Sequence, residues 1–100
     1  MSKNTTETKI RAIIDRIKEV EGVQSVTLSD HEGFPLMSTI DAGPEAERLS
    51  SVISHVIGKL SLLTNNGNET PRSITIKTDS KQVIATPYGN NTLIVTRKNM

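Results

Sequence analysis

One hundred residues suit a single domain and leave no room for a second hydrophobic core. Twelve basic against eleven acidic residues give a net charge of +1, so no long-range field draws the chain to polyanions, and the lack of cysteine excludes disulfides and thiolate chemistry. Phe34 and Tyr88 are the only aromatics, so the core falls to Ile, Val and Leu, and the β-branched Ile and Val favour strands over an all-helical bundle.

The N-terminal stretch MSKNTTETKI has no apolar segment of signal-peptide type, and no run is long enough to cross a membrane. The expectation is a soluble cytoplasmic chain with no membrane insertion, in which the N-x-T triplets at Asn4, Asn68 and Asn90 mean little. Asn4 followed by Glu7 fits a capping box, and Ile10, Ile13, Ile14, Ile17 and Val20 recur at helical spacing, which predicts a first helix over about 5–20 stopped by Gly22. VQSVTLS alternates and predicts a strand. Asp30–Gly33 turns the chain, and FPLMSTI returns it with Phe34, Leu36 and Ile40 on one side. Pro35 cannot donate to a ladder, which places this second strand at a sheet edge or at its own start.

Pro44 suits the first position of a second helix, expected over about 44–64, and the polar NNGNETP that follows is a loop. RSITIKT, VIATPY and TLIVT are then three strands joined by short turns, an antiparallel meander. Leu93, Ile94 and Val95 are apolar on both faces, as a central strand covered on both sides would be, whereas the clean alternation of the third strand suggests an edge. The fold class is α+β, with one helix on each face of the sheet.

The second helix carries an unusual back. Leu49, Val52, Ile53, Val56, Ile57, Leu60 and Leu63 share one arc that is expected to cover the sheet, while Ser51, Ser54, Gly58 and Ser61 fall opposite. Glycine costs about 1 kcal/mol relative to alanine in a helix, and a solvated face would more naturally use Glu, Lys or Arg. Small side chains let another backbone approach closely, so this ridge, flanked by His55 and Leu62, is the candidate contact with a second molecule. The plainer reading is a solvated serine-rich face. Ile74, Thr75, Ile76, Lys77 and Thr78 contain no proline or glycine and as an edge would accept another strand, with Lys77 as a possible guard. A twofold axis beside that edge would use both features in one isologous homodimer.

Gly22–Val23 leading into a strand, Asp30-x-x-Gly33-x-Pro35 in the first hairpin, a long second helix, and three closing strands with Pro87 and TLIVT together resemble the Roadblock/dynein light chain family, over about residues 8–97. The resemblance implies a profilin-like five-stranded antiparallel sheet in spatial order 2-1-5-4-3, dimerising through the second helix and third strand. It also implies a non-catalytic platform that serves a Ras-like small GTPase as regulator or scaffold, or a dynein subunit. Many members carry a third helix after the last strand. This sequence shows no such element before Met100, so its first helix is expected to be less covered.

Other chemistry reads weakly. Asp30-His31-Glu32-Gly33 is an ordinary polar hairpin tip before it is a metal or acid–base site, and His55 has no histidine or carboxylate three or four residues away. Ser50, Ser51 and Ser54 sit inside a helix, without the strained turn or oxyanion hole a nucleophile needs. No glycine pattern matches a phosphate-binding loop. Arg72, Lys77, Lys81, Arg97 and Lys98 would need to converge before they suggested nucleic acid. The expectation is no enzyme, cofactor, metal or nucleic-acid partner, but a homodimeric scaffold that regulates a Ras-like small GTPase. The alternatives are a structural heterodimer subunit of a dynein-type or membrane-associated complex, or a small-molecule sensor on a profilin- or PAS-like fold. A sensor would need a pocket with convergent polar groups, at which the aliphatic pattern does not hint.

Overall fold

Seven elements follow the expected order. The computed structural model describes residues 2–40, 43–64 and 73–99, as helix α1 (Ser2–Lys18), strands β1 (Val23–Ser29) and β2 (Pro35–Ser38), helix α2 (Pro44–Leu60), which tightens into one 3₁₀ turn over Ser61–Leu63, and strands β3 (Ile74–Lys77), β4 (Lys81–Tyr88) and β5 (Asn91–Lys98). The expected NNGNETP loop and Arg72 lie outside the described residues. α1 begins at Ser2, so Asn4 is inside the helix rather than capping it, and the helix ends at Lys18 rather than Val20. Gly22 closes the exit turn with φ of 87°, in the left-handed region that favours glycine.

The sheet is antiparallel in the order β2-β1-β5-β4-β3. β5 is central, β2 with Pro35 at its head forms one edge, and β3 forms the other. The period-2 alternation of β5 divides the core between two faces. Leu93 and Val95 join Val26 and Leu28 under α1, where Ile14 is fully buried and Ile10 and Ile17 pack beside it. Ile94 points the other way and meets Ala85 and Ile53 under α2, with Leu49, Ile57, Ile76 and Val83 around them.

The face of α2 is turned from the expected arc. Val52 is 52% exposed and Leu63 79%, while Ala46 and Ser50 are buried. The cause lies in β1, whose α2-facing residues Ser25, Thr27 and Ser29 are all buried. Short hydroxyl side chains on this floor permit a close approach of the helix, and the buried residues of its first half are small as well, Ala46 and Ser50, while Val52 turns outward. Ile13 on α1 and Val20 just past its end are likewise exposed rather than in the core.

Candidate functional site

The first hairpin prepares one side of the α2 surface. Oδ1 of Asp30 accepts the backbone N–H groups of Glu32 and Phe34, each at 2.9 Å, and the Asp30 carbonyl accepts the Gly33 N–H at 3.1 Å. This is the turn reading of Asp-His-Glu-Gly. The Phe34 N–H is the largest cause holding the Asp30 carboxyl below its ordinary pKa; desolvation opposes it, and the Glu32 and Gly33 amides and the His31 charge add to it. His31 and Glu32 stand exposed at the tip, 3.8 Å apart. Among the described residues no group of three or more His, Asp or Glu side chains is placed to hold a metal.

The turn delivers Gly33 to α2. Its φ is 93°, and a Cβ there would stand 3.0 Å from the Ser54 Cβ and 3.4 Å from the Ser51 Cα. Part of the serine ridge therefore meets a backbone within the same chain: Ser51 and Ser54 are small where the hairpin tip presses on the helix. Further along, Gly58 is exposed, and among the described residues a Cβ built on it would meet nothing within 4 Å. The Ser61 hydroxyl donates to the Gly58 carbonyl at 2.7 Å, while His55 and Leu62 project into solvent. All six residues of the expected helical contact thus lie along one side of α2, with the hairpin against its N-terminal half and no described residue close to Gly58 beyond it.

The two sheet edges differ in their defences. At β2, the Thr39 N–H bonds the Val26 carbonyl at 2.9 Å, so ladder alternation turns the backbone groups of Ser38 outward. Arg11 Nη1 donates to that outward carbonyl at 3.2 Å, and Pro35 supplies no N–H. At β3, the Thr78 N–H bonds the Lys81 carbonyl at 2.8 Å, so Ile76 and Ile74 face β4 while Thr75 and Lys77 turn their backbone groups away from the sheet. Among the described residues nothing pairs with that outer row. Ile74 and Ile76 send half-buried side chains under α2, Thr75 and Lys77 are exposed, and Thr78 belongs to the turn rather than to the strand.

The basic residues do not gather into one patch. Gln82 stands between Lys77 and Arg97 in register on the α1 side, whereas Lys81 stands opposite Lys98 on the other face. Sequence reasoning weighed Ser50 only as a nucleophile, whereas it is fully buried with its Oγ unpartnered among the described residues, and it passed over Arg11, whose role at the edge appears only when α1 is set beside β2. It also passed over a groove of about 620 Å³ between α2 and the ends of β1, β4 and β5. No described helix is long and apolar enough to cross a membrane.

The profile of the Roadblock/LC7 domain matches residues 9–98 of this chain. Among curated proteins none matches the sequence significantly. Solved structures similar to it include a Roadblock/LC7 domain from Streptomyces avermitilis, at 14% identity and TM-score 0.69, with 82% of this chain and 71% of that one covered. Myxococcus xanthus MglB aligns at 23% identity and TM-score 0.75, covering 92% and 77%. An MglB with a tetrameric arrangement aligns at 11% identity and TM-score 0.79, covering 91% and 71%. At such identities the likeness is one of fold.

Proposed function

The chain belongs to the Roadblock/LC7 domain family, and on that footing we propose that it is a non-catalytic regulatory module that pairs with a second copy of itself and engages a Ras-like small GTPase. Pairing runs through Ser51, Ser54, His55, Gly58, Ser61 and Leu62 of α2 and through the β3 edge, Ile74, Thr75, Ile76 and Lys77, ending at Thr78. Gly58 carries this reading. A glycine in the interior of a helix costs about 1 kcal/mol, yet among the described residues nothing approaches it closely enough to require one. The open row at Thr75 and Lys77 supports the same contact, because paired β3 strands would satisfy those backbone groups.

The test is Gly58→Leu, examined by sedimentation. Among the described residues nothing stands within 4 Å of a Cβ there, so the monomer keeps its circular dichroism spectrum while self-association weakens on the order of tenfold or more. Undiminished association would remove the ridge from the contact. The partner class is tested separately, by capture from native extract with GTP-loaded and GDP-loaded pools. Enrichment of a Ras-like protein is the expected result, and recovery of metabolic enzymes or nucleic acid alone would place the protein in another class.

A further inference from the structure

The groove lies on the flank of α2 that Gly33 does not approach. Its walls are apolar, formed by Leu49, Val52 and Val83. At its base lie Ser25 and Thr96, 7% and 8% exposed, whose hydroxyls have no hydrogen-bond partner among the described residues. Arg48 and Lys81 line it as exposed side chains, and the β4–β5 register sets Lys98 directly opposite Lys81. Among the described residues none of these three cations has a carboxylate within ion-pair distance, and Glu45 is the one acid that lines the groove.

Two costs meet here. Like charges directly opposed across a strand pair destabilise a sheet, and Val52 leaves apolar surface in water beside them. One occupant relieves both. We propose that the groove binds a small amphipathic anion, with its apolar body against Leu49, Val52 and Val83 and its charged head between Arg48 and the Lys81–Lys98 pair. The Ser25 and Thr96 hydroxyls complete the polar end. The volume falls within the roughly 300–1,000 Å³ of small-molecule sites, and the near-neutral chain with two aromatics favours a small anion over a nucleic acid. The site is built within one chain, so it stands whether or not the chain pairs through the ridge.

Amide chemical shifts of the 100-residue chain, titrated with decanoate, decyl phosphate and decanol below their aggregation concentrations, test this. Decanoate or decyl phosphate should give saturable shifts centred on Ser25, Leu49, Val52, Val83 and Thr96, and the stronger of the two identifies the head group. Decanol should bind about tenfold more weakly, and so should either anion to the Arg48→Gln/Lys81→Gln variant. Both replaced side chains are exposed, so that variant should retain the dispersion of the wild-type spectrum. Glu45→Gln, which removes the one acid, should tighten binding. Equal affinity for decanol and the anions, an undiminished response in the double variant, no response to either anion, or shifts centred on the exposed Phe34 and Leu36 would each overturn the proposal.

Discussion

At the scale of single residues, the hairpin tip shows how conformation and contact combine. Gly33 is required twice, by its φ of 93° and by the 3.0 Å that would separate an added Cβ from the Ser54 Cβ. Gly33→Ala should therefore cost about 2–4 kcal/mol in urea unfolding. A second change, Ser54→Gly, should recover the steric part and leave the backbone part. Asp30 gives the pH dependence its sign. Its folded pKa is depressed, so its contribution to stability is present above its unfolded value of about 4 and is lost as pH falls through the lower folded value. The urea midpoint should fall on acidification through that window, and Asp30→Asn, which keeps an acceptor oxygen but cannot titrate, should flatten this part of the profile.

At the scale of elements, α2 illustrates a helix whose seating is decided by its floor. The apolar arc drawn from spacing alone centres near Leu60 and Val56, but the buried set is Ala46, Ser50 and Ile53, small residues in the first half of the helix matching the short, buried Ser25, Thr27 and Ser29 of β1. Thr27 finds Ser38 across the strand pair, Oγ1 to Oγ at 2.8 Å, whereas the Ser50 Oγ finds no partner among the described residues. Burying an unpaired hydroxyl costs about 1–3 kcal/mol. Ser50→Ala removes that cost and raises helix propensity, so thermal unfolding should shift upward by the equivalent of about 1 kcal/mol.

At the scale of the whole molecule, the sheet has one guarded end and one open end. Arg11 and Pro35 blunt β2, while β3 offers the backbone groups of Thr75 and Lys77 with no cap among the described residues. Such asymmetry favours a closed pair over an open filament, since β3 meeting β3 consumes both open edges and β2 refuses a third strand. Thr75→Pro tests this directly. The Thr75 N–H points away from β4, so proline should leave the chain folded, while sedimentation shows loss of the pair. Retained pairing would confine the contact to α2.

The number and order of the elements, the edge position of Pro35, the central place of β5 and the turn at Asp30–Gly33 were legible in the sequence, because each rests on local chemistry: periodicity, a missing N–H, or a turn residue. The spatial order 2-1-5-4-3 was legible through the family resemblance and stands in the structure. Three features waited for the tertiary structure: that Ser51 and Ser54 meet their own hairpin, that Arg11 closes an edge 27 positions away, and that Arg48 and Lys81 line one groove with Lys98 in register opposite Lys81. Local periodicity says that a side chain points inward. What it then meets depends on the size of residues distant in sequence, and only packing of the assembled layers decides that.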